Sequence, residues 1–154
     1  MPVGSVKMST AESIRIRRRV AEGHAKGLVD TSVVIDLDRL ADANLPAEMA
    51  ISAITLAELA AGPHATRDPE ERAARQERLQ RVEATFDPLP FDDEAARAYG
   101  RIYAAVVAAG REARGPRALD LQIASIALAN GLALYTRNPK DLRSVEHLIE
   151  IIAV

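Results

Sequence analysis

The 154-residue sequence predicts an α/β domain of three layers, with helices on both faces of a mostly parallel sheet. Two observations carry the prediction. Short apolar, β-branched runs alternate with longer stretches of helical periodicity, the order that βαβ units produce. The first run, LVDTSVVIDL, is largely apolar and β-branched with Asp30 inside it, as in a strand buried on both faces. The length matches one domain, and 48% hydrophobic with 27% charged residues is an ordinary globular composition.

Residues 1–26 stand apart. They carry six Lys/Arg against two Asp/Glu, with Arg15, Arg17, Arg18 and Arg19 clustered, and show no apolar stripe. They read as an appended basic arm, either an incidental extension (Met8 is an alternative start) or a contact for nucleic acid or a partner. The remaining domain, 27–154, has net charge −6.

The domain opens at Gly27 with a strand that ends at Asp30, and Thr31 and Ser32 are capping types that turn the chain into a short helix through Leu40, stopped near Pro46. A second strand, about Met49 to Ser52, leads into the helix ITLAELAAG, which Gly62 and Pro63 end. DPEERAARQERLQRVEA, from Asp68, predicts a solvated helix with a thin stripe of Ala73, Leu79 and Val82. DPLPFD predicts a short strand, and DDEAARAYGRIYAAVVAAG a helix whose first turn holds Asp92, Asp93 and Glu94 where the helix dipole favours acids. After the basic loop REARGPRA comes the amphipathic helix LDLQIASIALANG, then the strand LALYT, the turn RNPKD, and HLIEIIAV as an edge strand.

Composition removes several kinds of chemistry. There is no cysteine, so disulfides, thiolate nucleophiles and sulfur-based zinc sites are excluded, which fits a reducing compartment. His24, His64 and His147 form no pair at ligand spacing, and no Gly-rich nucleotide loop occurs. With 3% aromatics and no Trp, a base-stacking platform is not expected. No apolar run approaches the roughly 20 residues of a membrane span, and no secretory signal is seen, so a cytoplasmic location is expected. Carboxylates remain.

In an open parallel sheet, ligands bind beyond the carboxyl ends of the strands. Asp30 stands at such an end inside an apolar run, where a carboxylate is costly unless paired or metal-bound. Glu58 projects from an apolar helix, where a ligand and an ion-pairing acid are equally good readings. Asp120 begins a helix, where the dipole favours an acid regardless of function. Asn138 and Asp141 follow the strand LALYT, in a turn where both are ordinary residue types.

The series LVDTSVVIDL, ITLAELAAG and LDLQIASIALANGLALYTRN, spanning residues 28–138, resembles the PIN-domain fold in its VapC toxin branch, and also the related FitB-type proteins. The resemblance implies a Mg²⁺-dependent endoribonuclease toxin of a toxin–antitoxin pair, with Mn²⁺ as a substitute ion. It places Asp30, Glu58 and Asp120 on the family's first three metal-binding acids. The sequence departs at the fourth: Asn138 stands where Asp often follows the Thr-Arg step, with Asp141 three residues on. Asp141 completes the expected metal set, and Asn138 brings a neutral carbonyl. Thr31 and Thr136 are expected to brace the ligands or touch substrate, and Arg111, Arg114 and Arg117 to flank the acids and hold RNA phosphates. RNA, a cognate antitoxin and a second copy of the chain are the partners implied. Two other classes compete. A phosphatase-like enzyme using Asp30 as nucleophile lacks a second Asp two residues on, where Ser32 stands. A non-catalytic PIN-like scaffold that binds RNA or protein is kept open by Asn138.

Overall fold

The computed structural model describes residues 25–154; residues 1–24 of the basic arm lie outside them. Four strands, β1 (Lys26–Val29), β2 (Glu48–Ala50), β3 (Ala133–Thr136) and β4 (Ile151–Ala153), form one sheet in the order β2-β1-β3-β4, with every pair parallel. Among the described residues, five α-helices accompany them: α1 (Thr31–Ile35), α2 (Ala53–Ala61), α3 (Pro69–Thr85), α4 (Asp93–Ala108) and α5 (Arg117–Ala129).

Alternation along the strands sorts side chains into two cores. Leu28, Ala50 and Leu134 join Ile102, Val106, Ile123 and Ile126 of α4 and α5 on one face. Val29, Ala133 and Tyr135 join Val33, Leu59, Leu79 and Val82 of α1, α2 and α3 on the other. The three-layer α/β/α architecture predicted from sequence is the one observed, and β1 and β3 lie at its centre.

Packing at the centre of the sheet leaves no room for a side chain at Gly27. A Cβ there would collide with the ring of Tyr135, which is 2% exposed and locked in the core, and would lie 3.2 Å from Pro46 Cβ. Glycine is required by this close approach.

Several elements differ from the sequence prediction. The helix after Asp30 is five residues long rather than ten, and single 3₁₀ turns at Leu37–Arg39 and Asp42–Asn44 carry the chain to β2. Its sequence, Thr-Ser-Val-Val-Ile, is β-branched at four of five positions and propagates a helix weakly. The predicted DPLPFD strand reduces to one bridge, Leu89 to Ser52. Pro88 and Pro90 lack N–H groups, so Leu89 alone pairs, donating to Ile51 O (2.9 Å) and accepting from Ala53 N (2.8 Å). On α3, Ala73 is exposed, and the covered stripe is Leu79 and Val82. The last helix starts at Arg117, two residues earlier than predicted, which places Arg117 on its first turn beside Asp120. Only Ile151–Ala153 of HLIEIIAV is strand.

Candidate active site

The site grows from the carboxyl ends of the two central strands. Where β1 stops, Asp30 becomes the N-cap of α1: its Oδ1 accepts from Val33 N (3.2 Å) and from Ser32 Oγ (2.5 Å). The carboxylate is 9% exposed. Its Oδ1 is thus committed to the helix, while Oδ2 accepts no hydrogen bond among the described residues.

Glu58 is fixed by a chain of hydroxyls. Thr31 Oγ1 donates to Glu58 Oε1 (2.7 Å) and lies 3.0 Å from Thr55 Oγ1. A hydroxyl has one proton, so with Thr31's given to Glu58, Thr55 must be the donor to Thr31. Ser52 Oγ in turn donates to Thr55 Oγ1 (3.3 Å) while capping α2 by accepting from Thr55 N (3.0 Å). Ser52 and Thr55 are fully buried, so the inner end of the relay is sheltered, and its donors point one way, toward the Glu58 carboxylate.

Asp120 stands on the first turn of α5, and Asn138 and Asp141 on the turn after β3. Asp30, Thr31, Glu58, Asp120, Thr136, Asn138 and Asp141 line one cavity of about 220 Å³. Residues predicted from well-separated parts of the chain are therefore brought together. Burial first, and then the nearby Asp30, Glu58 and Asp141 carboxylates, push the Asp120 carboxyl up to about 6 against the opposing charge of Arg117. Among the described residues no three acids or histidines are already drawn into a ligand cage. The acids face a common space without touching.

Arg114 and Arg117 lie outside that cavity. They line an adjoining cleft of about 650 Å³ with Arg111, and the two spaces share Asp120 and Asp141 as a common wall. Arg111 is partly committed, because its Nη1 donates to Lys140 O (3.3 Å). Thr136 is 1% exposed at the cavity floor, and its Oγ1 accepts from Asn138 N (3.0 Å). It shapes the turn, as Thr31 fixes Glu58.

Sequence reading missed three participants. Ser32, taken only as a capping type, donates to Asp30 and accepts from Arg137 N (3.2 Å). Thr55 and Ser52 complete the relay behind Glu58. Their signal in the sequence is faint: small hydroxyl residues inside apolar stretches, of a kind that also serve as ordinary caps.

Comparison with known proteins supplies the family. A family model for the PIN domain matches residues 27–148. The chain is a PIN-domain protein. It is 36% identical over 117 residues to ribonuclease VapC5 of Mycobacterium tuberculosis, covering 74% of this chain and 84% of that protein. The crystal structure of VapBC-5 from M. tuberculosis, a member of the VapBC family of toxin–antitoxin systems, superimposes with a TM-score of 0.75 over 84% of this chain and 99% of that one. FitAcB from Neisseria gonorrhoeae is 26% identical, with a TM-score of 0.62 over 81% and 95% of the two chains. This PIN-domain chain is accordingly a homologue of a VapC ribonuclease, and the enzyme class expected from the sequence holds.

Proposed function

We propose that this PIN-domain protein is the toxin of a toxin–antitoxin pair, cleaving RNA phosphodiesters with Mg²⁺, or Mn²⁺ in its place. The observation that supports this most directly is that four carboxylates, Asp30, Glu58, Asp120 and Asp141, line one small cavity at the strand ends, where burial and then the other three acids raise the Asp120 carboxyl. Such a set is stabilised by a hard divalent cation, and magnesium retains several waters, so acids that face a common space at some distance suit it. Asp30, Glu58, Asp120 and Asp141 would hold the ion, with Asn138 contributing a neutral oxygen. The bound cation would supply charge neutralisation at the phosphodiester and a water acidic enough to attack it.

The chain's own groups do the rest. Thr31, backed by Thr55 and Ser52, holds Glu58 by its Oε1, and Ser32 and the α1 backbone hold Asp30. Arg114 and Arg117, one wall away from Asp120, would grip phosphates of the strand being cut. Phosphate contact limited to one cleft accounts for a nuclease domain that is otherwise acidic.

Two protein partners belong to the same reading. An antitoxin segment would lie in the cleft of about 440 Å³ that continues the acidic cavity through Thr31, Ile35 and Glu58, where Ile35 is 46% exposed. A second copy would pack on α4, whose outer side presents Tyr103 and Val107, 38% and 53% exposed, beside the edge-to-face pair Phe91–Tyr99. The described residues include no helix long and apolar enough to cross a membrane.

The test is cleavage of a fluorophore–quencher RNA of mixed sequence by the purified chain. Activity should vanish with EDTA, return with Mg²⁺ or Mn²⁺, and be absent from Asp30→Asn and Asp120→Asn. Cleavage that survives exhaustive chelation, or either substitution, would overturn the assignment. A wild-type chain that binds this RNA without cutting it under Mg²⁺ and Mn²⁺ would favour the scaffold reading.

A further inference from the structure

The turn after β3 carries two residues of the acidic cavity, Asn138 and Asp141, and its far end is anchored in the core by Leu142 and Val145. Its internal hydrogen bonds, Asn138 N to Thr136 Oγ1 (3.0 Å) and Asp141 N to Asn138 O (3.2 Å), shape the turn but do not locate it against α1 or α2. Leu142 and Val145 fix its far end among α4 and α5, and two arginines on opposite sides tie its near end to the neighbouring elements. Arg111 reaches from the α4–α5 loop to Lys140 O (3.3 Å). Arg137 reaches the other way: its backbone N–H donates to Ser32 Oγ in the first turn of α1, and its guanidinium pairs with Asp36 at the C-cap of the same helix.

We propose that Arg137 and Asp36 are a positioning pair, which locks the β3 turn onto α1 and so sets the distance of Asn138 and Asp141 from Asp30 and Glu58. The proposal rests on the reading of the cavity as the catalytic site. Arg137 grips α1 near both ends, and Asp30 is the N-cap of that helix, so turn, helix and carboxylate move as one body. Arg39 is Asp36's other cationic neighbour, at 3.9 Å and on a side chain 84% exposed, too loosely placed to substitute for the close pairing with Arg137.

Stability alone gives the pair little purpose. Its side chains are 41% and 26% exposed, the range in which ion pairs contribute little to folding. A fixed geometry around the acids is what it provides. The alternative, that Arg137 acts only through its charge, makes the opposite forecast for cation binding. Removing a positive charge beside an acidic cavity strengthens the field that attracts a divalent ion, whereas releasing the turn spreads the ligands and weakens binding.

The experiment uses the full chain as wild type, Arg137→Ala, Arg137→Lys, Asp36→Asn and the double variant Arg137→Ala/Asp36→Asn. Two readouts are taken: Mn²⁺ affinity from the electron paramagnetic resonance signal of the free ion, and kcat and KM on the mixed-sequence RNA. Arg137→Ala and Asp36→Asn should each weaken Mn²⁺ binding several-fold and lower kcat by about 10-fold or more, the range seen when groups that orient metal ligands are lost, with KM within about two-fold. The double variant should be no worse than either single one, because one contact is removed once. Arg137→Lys should recover most of the Mn²⁺ affinity. Tighter Mn²⁺ binding by Arg137→Ala, a raised KM with unchanged kcat, or additive losses in the double variant would each overturn the proposal. Asp120→Asn separates the two levels: if it still cleaves RNA, the site reading fails. If it is dead while both pair variants match wild type, the positioning pair alone fails.

Discussion

Replacing Asp120 with asparagine should make the metal-free protein more stable while destroying its activity. The folded-state carboxyl sits at about 6 against an ordinary 3.8, with burial as the first cause and Asp30, Glu58 and Asp141 as the next. A rise of that size corresponds to about 3 kcal/mol between the two protonation states. The side chain is only half-buried, so solvent screening reduces the usable figure to about 1 kcal/mol. For a domain of this size that is a rise of about 3–5 °C in Tm. The sign follows from linkage. A carboxyl whose folded pKa is raised contributes stability that is complete below 3.8 and lost as pH climbs through about 6. Wild type therefore carries the full penalty at about pH 7.5 and none near pH 3.5, and the advantage of Asp120→Asn should be present at the first pH and gone at the second. Thermal unfolding of both proteins in EDTA across this range measures it. Adding Mg²⁺ at the higher pH should raise the wild-type Tm more than that of the variant, since binding to the folded state stabilises by mass action. No gain at the higher pH, or the same gain at the lower, would refute the claim that burial and the neighbouring acids burden Asp120.

Other substitutions separate structural from chemical roles. Asp30→Ala removes both the cap of α1 and a proposed ligand, and should cost about 1 kcal/mol by denaturant unfolding, whereas Asp30→Asn keeps a capping oxygen and should cost about half of that or less; neither should cleave RNA. Asn138→Ala should lower kcat by roughly one to two orders of magnitude, with Asp141→Ala similar or milder. Total loss in Asp141→Ala beside full activity in Asn138→Ala would make Asp141 the essential member of that turn. Gly27→Ala should destabilise by about 1–3 kcal/mol by urea unfolding, because the added methyl meets the immobile Tyr135 ring, while leaving Mn²⁺ affinity per folded molecule unchanged. Thr55→Val should leave Thr31 without its donor and lower kcat, with Thr55→Ser restoring it, as read from single-turnover rates.

By itself the sequence determined the layer architecture and nominated the acids of the candidate site. Continuous apolar runs between periodic segments admit few solutions other than a covered parallel sheet, and an acid at the end of such a run has its place at the sheet's carboxyl edge. The same logic made Asp30 legible from residues 28–36 alone, and the order of three short motifs brought Glu58 and Asp120 with it. Tertiary structure decided whatever depends on partners distant in the chain. Nothing local distinguishes Arg137 from the other surface arginines; its role appears only when β3 is laid beside β1, which brings it to Ser32 and Asp36 across about a hundred residues. The direction of the Thr55–Thr31–Glu58 relay likewise rests on α1 meeting α2, since a hydroxyl commits its one proton only when both neighbours are in place. Local pattern specifies which face of each element is apolar. The pairing of its few polar groups is settled by how those faces pack.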